Sequence, residues 1–482
     1  MAKNITPKEE NFSQWYQDVI RAAELADNAP VRGCMVIRPN GYGVWELIQA
    51  SFDKAFKETG HVNAYFPLLI PSSFMEREAQ HVEGFSPELA VVTTAGGSEL
   101  EEPYVIRPTS ETVIGHMYSQ WVQSWRDLPI LINQWCNVVR WEKRPRLFLR
   151  TSEFLWQEGH TAHATREEAI AETFQMLDVY RRIMRDELAL PVIHGEKSMN
   201  ERFPGAENTY SCEAMMSDKR ALQAGTSHFL GQNFARAFEI SFQNKDGAME
   251  FAWTTSWGVS TRLIGALIMT HADNDGLVLP PNVAPVKVVI IPLSNDENKL
   301  KSHLEPMART ISGRIDAAVG VPCSKVDKQY HLRPGDRFFY HLQRGVPLRV
   351  EFGDKEFSEH CATIVRRDTA SKERVSLDAL AGRVRELLYE IQDDMYRKAL
   401  NFRKSNTQDI SNFDELKEFF SDSGPGGFAR TYFGGSGDDE KAIKDATGGV
   451  TIRCIPIEDD TSGKCVYTGK DGAKRVIFAK AY

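Results

Sequence analysis

Long apolar runs are missing from this chain of 482 residues. No stretch approaches the roughly 18 consecutive apolar residues that span a bilayer, so no membrane segment is expected. Paired cysteines are missing as well. The seven cysteines, at 34, 136, 212, 323, 361, 454 and 465, share no paired spacing. That excludes a disulfide framework and suits reduced thiols in a cytoplasmic protein. The first ten residues lack the apolar core of a secretion signal, which fits the same location. Positive charge is not in excess. The 58 Lys and Arg against 66 Asp and Glu leave a net −8, so a polyanion cannot be gripped over most of the surface, and any such contact is local. There is no internal repeat, no Ser-His-Asp or Cys-His set and no His-Glu-x-x-His spacing, so neither nucleophilic hydrolysis nor a zinc protease is indicated.

What is present is an ordinary globular composition, 42% hydrophobic and 26% charged. At roughly 150 residues per domain the length predicts about three domains. Helical periodicity is read over 10–27 (Phe12, Trp15, Tyr16, Val19, Ile20, Ala23), 44–58 (Trp45, Ile48, Phe52, Ala55, Phe56), 110–125, 166–188 and 257–271. Strands are read over 63–71, where prolines point to an edge, over 135–141 and 146–156 joined by a basic turn, and as a hairpin over 238–242 and 249–253. Leu279-Pro-Pro-Asn-Val-Ala-Pro285 marks a boundary. The apolar strand 286–293 behind it opens a stretch with alternating strand and helix signals. That stretch, 286–400, carries 8 Lys and 12 Arg against 9 Asp and 8 Glu, so it is the likelier polyanion binder by charge alone. Past residue 400, the glycine-rich loops 423–427 and 434–439 signal a small third unit.

Two groups of residues carry chemistry. Arg140-Trp-Glu142, a basic turn and Arg150-Thr-Ser-Glu-Phe154 put arginines at both ends of a hairpin, an arrangement that suits a polyphosphate. Ser256-Trp-Gly-Val-Ser-Thr-Arg262 sits at a strand-to-helix junction, where glycine permits close backbone approach and a helix N-terminus favours an anion. A surface hairpin and plain packing account for either group taken alone. Thr109-Ser-Glu111 likewise reads as a helix cap when taken alone.

Taken together and in order, these segments resemble class II aminoacyl-tRNA synthetases. The helix with the Pro67 strand resembles motif 1, Arg140 to Glu142 motif 2, and Arg262 the motif 3 arginine. Arg107-Pro-Thr-Ser-Glu-Thr112, 150–163, Gly225-Thr-Ser-His-Phe-Leu-Gly-Gln-Asn233 and Trp253-Thr-Thr-Ser-Trp-Gly258 narrow the resemblance to the prolyl-tRNA synthetase family, in its shorter archaeal and eukaryote-like form.

The resemblance implies an α+β fold with three parts. A catalytic domain with an antiparallel sheet spans 1–282, an α/β anticodon-binding domain 283–400 and a small α/β C-terminal domain 401–482. It implies two-step charging of tRNA(Pro) with L-proline, using ATP and Mg²⁺. Proline would be held by Thr109, Glu111, Arg140, Trp156, Glu158, Phe203, His228 and Ser256. ATP would be held by Arg140, Glu142, Thr151, Phe154, Gln223, Thr226 and Arg262, with Arg140 and Arg262 catalytic. The segment 197–205 resembles the family's loop over proline. Arg333, Arg337, Arg344 and Arg349 are the anticodon candidates. Glu142 and Arg262 lie only 120 positions apart, too close for an inserted editing domain.

The chain departs from the family at the third unit. Many relatives bind zinc there through two cysteine pairs, but the first pair would fall at 427–433, which has no cysteine, and the second reads Cys465-Val-Tyr-Thr468. Cys454 and Cys465 cannot close a tetrahedral site, so no structural zinc is expected. A homodimer through the region of 44–58 and 63–67 is expected by resemblance. The alternative, a tRNA-binding paralogue without catalysis, predicts losses among Arg140, Glu142, Arg262, Thr109 or Glu111, and all five are present.

Overall fold

The structure, a computed structural model, describes residues 4–81 and 89–482. The helices that matter for the site are α1 (Phe12–Ala22), α2 (Pro39–Glu58), α3 (Glu111–Trp121), α4 (Arg166–Asp186) and α5 (Arg262–His271). In α1 the Asn11 side chain accepts the Gln14 N–H, and Trp15, Tyr16, Val19 and Ile20 are buried. α2 begins five residues earlier than its apolar pattern, because Pro39 occupies the first turn, where its missing N–H costs nothing. α4 opens with a reciprocal cap, Glu168 N–H to Thr165 Oγ1 and Thr165 N–H to Glu168.

The strands of the first domain are β1 (Val62–Asn63), β2 (Ile130–Val139), β3 (Glu153–His163), β4 (Val192–Glu196), β5 (Asn208–Met215), β6 (Ala221–Gly231) and β7 (Trp253–Ser260). Three sequence expectations need correction. The stretch 63–71 is not one strand. Two residues of β1 pair parallel with β2, and Leu69–Pro71 joins a separate small sheet with Ala90–Ala95 and Ser98–Ile106. Residues 146–152 are loop rather than strand. Pro145 precedes them, Phe148 holds a positive φ, and Arg146 N–H closes a tight turn onto the Arg150 carbonyl. Residues 257–260 belong to β7, not to a helix, since β3 and β6 both pair with them or with their neighbours, and α5 starts only at Arg262. The hairpin read over 238–242 and 249–253 forms with shifted bounds, 241–243 against 249–251, because Phe238 ends a short helix and Trp253 opens β7.

The second domain holds β8 (Val288–Leu293), β9 (Ser324–Val326), β10 (Leu348–Gly353), β11 (Cys361–Arg366) and β12 (Lys372–Ser376), in spatial order β9-β8-β10-β11-β12. The first three run parallel and the last two antiparallel. The helices α6 (Glu305–Val319), α7 (Pro334–Gln343) and α8 (Leu380–Ser405) belong to it, and α6 and α8 share its core. The third domain has α9 (Phe413–Phe419), α10 (Gly437–Ala446), β13 (Thr407–Asp409), β14 (Phe428–Phe433), β15 (Thr451–Pro456) and β16 (Ala473–Ala479).

The third domain is not a separate lobe. Its sheet runs on into the first in the order β13-β14-β16-β15-β4-β5-β6-β7-β3-β2-β1. The join is β15 against β4, Ile455 opposite Glu196 and Pro456 opposite Gly195. A side chain at Gly195 would lie 2.3 Å from the Ile455 carbonyl oxygen, so only glycine lets the two sheets merge there. The chain's last residues dock alongside: Tyr482 N–H donates to Ala221 C=O, and the Tyr482 hydroxyl donates to Asp218 at 2.5 Å. The tail is therefore ordered against the first domain, held through its phenol and backbone.

Candidate active site

The antiparallel register builds the site. Thr209, His228, Ser256 and His160 stand opposite one another across β5, β6, β7 and β3. Two residues along, Gln134, Glu158, Gly258 and Thr226 form a parallel row, and Trp156 lies two further. Residues two apart on a strand share a face, so all of these point to one side. Gly258 places no side chain between Glu158 and Thr226, which opens the floor. The result is a cavity of about 330 Å³. Its walls include Thr109, Glu111, Arg140, Trp156, Glu158, Phe203, His228 and Ser256. The eight residues expected around proline are thus brought together. Gln223 and Thr226, two of the expected ATP residues, line it as well.

Glu158 is buried and crowded with donors. Ser110 Oγ lies at 2.5 Å, Gln134 Nε2 at 2.9 Å and His160 Nε2 at 3.2 Å. Burial alone would raise its pKa, but His160 and these donors outweigh burial and hold it low, at about 2. His160 answers in the opposite sense. Burial lowers its pKa, while Glu158 and Glu111 more than compensate and raise it above the ordinary imidazole value. Glu111, the first residue of α3, is also buried, and Thr109 donates to it. The Ser110 hydroxyl is spent on Glu158 and makes no helix cap, so the capping reading of 109–111 gives way.

The carboxyl groups of Glu111 and Glu158 stand in one cavity with His160 and Arg140, so acceptor oxygens face the space between them. Glu111, Glu158 and His160 have ligand-type atoms within 4.8 Å of one another. They suit a metal ion poorly, because the His160 nitrogen that faces the group is already engaged with Glu158. An organic ammonium with two N–H donors fits better. Ser256 Oγ is buried, has no hydrogen-bond partner among the described residues, and faces the same space. His228 is uncharged, since burial and His160 push it down to about 3. Its Nδ1 pairs with Thr209 Oγ1 at 3.0 Å, and Phe203 packs on its ring at 4.7 Å. Trp156, Phe203 and neutral His228 supply apolar wall.

Cations dominate the other side. Arg140 donates to the Pro108 carbonyl and lies over the rings of Phe154 and Trp156, at 5.7 and 5.2 Å. Arg262 donates to the Leu149 and Gln223 carbonyls. Burial, with Arg150 and Arg140 nearby, pushes it down to about 10. A second cavity, of about 750 Å³, shares Gln223 with the first and is lined by Arg144, Arg146, Arg150, Arg220 and Arg262, with Tyr482 at its wall. Five guanidiniums around one cavity form an anion chamber. Glu142 pairs with Arg150 at 3.6 Å beside it, while buried Thr151 donates to the Glu153 carbonyl, so its hydroxyl is occupied.

Sequence reasoning missed Gln134, His160, Thr209 and Arg220. Gln134 and Thr209 are identified by cross-strand register, which no local pattern carries. The anticodon candidates divide. Arg337 is buried against Asp327 and donates to the Pro292 carbonyl, so it serves the core and is withdrawn as a reader of bases. Arg344 stacks on Tyr340 and pairs with Glu24 of the first domain, so it too is taken up internally. Arg333 is exposed, and Arg349, held by Glu351, lines a cavity of about 330 Å³ with Arg366, Arg367 and Lys372.

An antiparallel sheet that carries a cavity with two buried carboxyl groups beside an arginine-lined chamber is the arrangement of a class II aminoacyl-tRNA synthetase. Residues 92–271 match the family described as "tRNA synthetase class II core domain (G, H, P, S and T)", residues 287–387 "Anticodon binding domain" and residues 413–482 "Prolyl-tRNA synthetase, C-terminal". The chain belongs to the proline–tRNA ligase family. It is 53% identical to the proline–tRNA ligase of Roseiflexus sp. (strain RS-1) and 51% identical to that of Porphyromonas gingivalis (strain ATCC 33277), each over 100% of this chain and 99% of the relative. It is also similar to the crystal structure of prolyl-tRNA synthetase from Cryptosporidium parvum complexed with halofuginone and AMPPNP, with a TM-score of 0.93, 38% identity and full coverage of both chains.

Proposed function

We propose that the two adjoining cavities activate L-proline with ATP and that the acyl group then passes to tRNA(Pro). The observation that carries this reading is the buried pair Glu111 and Glu158, with Thr109 and Ser256 beside them in one cavity, next to an arginine-lined chamber. The secondary ammonium of proline donates its two N–H bonds to Glu111 and Thr109. Glu158 and Ser256 complete the polar rim, and Trp156, Phe203 and His228 enclose the ring. Arg140 bridges the proline carboxylate and the α-phosphate. Arg262 and Phe154 take the adenine between them, while Gln223, Thr226, Thr151 and Glu142 border ribose and phosphates.

The proline carboxylate attacks the α-phosphorus in line, giving prolyl-adenylate and pyrophosphate. The hydroxyl of the tRNA's terminal adenosine then attacks the acyl carbon and releases AMP. Neither step calls for a protein nucleophile. Positioning and charge stabilisation carry the rate. Mg²⁺ would accompany the phosphates, since it takes oxygen donors; Gln223 lines the chamber and Glu142 pairs with Arg150 of its wall. When bound it offsets charge on the leaving pyrophosphate. The C-terminal domain stands without zinc in this reading: Cys465 Sγ accepts N–H bonds from Gly434 and Thr468. Arg333 and Arg349 remain as anticodon contacts. Alanine and cysteine are smaller than proline and are poorly excluded by size, so any proofreading acts in trans.

Proline-dependent ATP–pyrophosphate exchange tests the reading, with Glu111→Ala beside it. Exchange with proline that falls by about 10²-fold in the variant is expected from the loss of a buried charged partner. No exchange with any amino acid would move the weight to the paralogue that binds tRNA without catalysis.

The protein is cytoplasmic and homodimeric in this reading. Val62, Tyr65, Leu69 and Trp121 are exposed apolar residues on and beside β1, the last strand of the long sheet. A two-fold contact there would cover them. Light scattering at micromolar concentration should give twice the 54.5 kDa chain mass, and the chain mass itself would refute the dimer.

A further inference from the structure

The segment that closes the amino-acid cavity, 197–207, is tethered by the third domain as well as by its own, where Asn233 holds the Gly205 carbonyl and Thr209 the Phe203 N–H. Lys197 Nζ donates to the Arg453 carbonyl at 2.8 Å, Ser198 Oγ donates to Glu440 at 2.7 Å, and Asn200 Nδ2 donates to the Gly437 carbonyl at 2.7 Å. Arg453 also reaches Glu201, at 3.5 Å. Just beyond these tethers, Glu201, Arg202, Phe203 and Pro204 line the cavity. The Phe203 N–H bonds to Thr209 Oγ1, which in turn pairs with His228, so the loop's position sets the wall against which a ring would pack. The β15–β4 pairing ends at Glu196, one residue before the first tether, which leaves the two domains little freedom to slide.

We propose that Glu440 and the α10 N-terminal turn act as positioning groups for amino-acid selection: the third domain fixes the 197–207 segment and thereby shapes the proline wall. Glu440 and Gly437 are themselves outside the cavity lining. Their effect is exerted through Ser198 and Asn200. The proposal rests on the reading that this cavity takes proline.

The test uses the full-length enzyme with Glu440→Ala, Glu440→Gln and Asn200→Ala. Glu440→Ala removes the acceptor, Glu440→Gln restores an oxygen for the Ser198 hydroxyl, and Asn200→Ala cuts the second tether from the catalytic side. Loss of one net hydrogen bond predicts that KM for proline rises about five- to tenfold in each alanine variant. KM for ATP and the melting temperature should hold, the preference for proline over alanine should fall, and Glu440→Gln should return toward wild type. Hydrogen exchange of the 198–207 amides needs no substrate and should quicken in the alanine variants alone. Wild-type proline KM with unchanged exchange at 198–207 would overturn the proposal. So would equal losses toward ATP and proline with a lowered melting temperature. If the wild type activates no proline while exchange at 198–207 still responds, the tether stands and the proline reading fails.

Discussion

Arg140→Ala should lower proline-dependent ATP–pyrophosphate exchange by about 10²–10³-fold, the scale on which one preorganised charge-stabilising donor acts. Arg140 sits where the ammonium pocket meets the phosphate side. It lies over Phe154 and Trp156, and its Nε is fixed by the Pro108 carbonyl. Glu111 and Glu158 oppose the effect of burial on its guanidinium. The loss should fall mainly on kcat, because the charge it neutralises is greatest at the pentacoordinate phosphorus. Arg140→Lys should recover little, since an ammonium lacks the fork that spans two anions. A variant that kept wild-type kcat with a raised proline KM would reduce Arg140 to a ground-state binding role.

The second large effect concerns stability. Glu213 is fully buried on β5, 3.1 Å from Arg453 and 3.4 Å from Lys197, and both cations are buried too. Glu213→Ala leaves them uncompensated and should destabilise the joined first and third domains by about 3–5 kcal/mol, the usual result of breaking a buried pair from one side. Burial pushes the Glu213 carboxyl up, but Lys197 and Arg453 outweigh it and hold it below the ordinary carboxylate value. A depressed carboxyl gives stability that is present above its unfolded value and is lost as pH falls through the folded one. The wild type should therefore lose stability in acid below about pH 4, and the variant should show a flatter acid limb. Thermal unfolding across pH reads both. A variant with wild-type melting at neutral pH would mean that the two cations find other partners.

Helix α4 shows what was legible. Its apolar stripe lies within one stretch of sequence, and the helix formed where that stripe placed it, two residues shorter at its end. Residues 257–260 show the opposite. Small residues beside Trp257 gave a helical pattern, yet pairing partners on both sides drew them into β7. Arg140 and Arg150 were legible, because charge at the ends of a hairpin is a local pattern, whereas Arg220 reaches the chamber only through the fold. Arg337 was not distinguishable from a surface arginine, because its partner Asp327 becomes visible only once α7 packs on the second sheet. His160 and Gln134 entered the site through strand register alone.

By itself the sequence determined the class of chemistry, the order of the domains and the eight residues that meet around the smaller cavity, because those depend on residue type and short spacing. The tertiary structure decided which side chains share a face, which arginines are free to meet an anion, and that the third domain runs into the catalytic sheet and holds the 197–207 segment. Those outcomes depend on contacts between residues as far apart as Ser198 and Glu440, which are set by packing and strand register and leave no trace in local pattern.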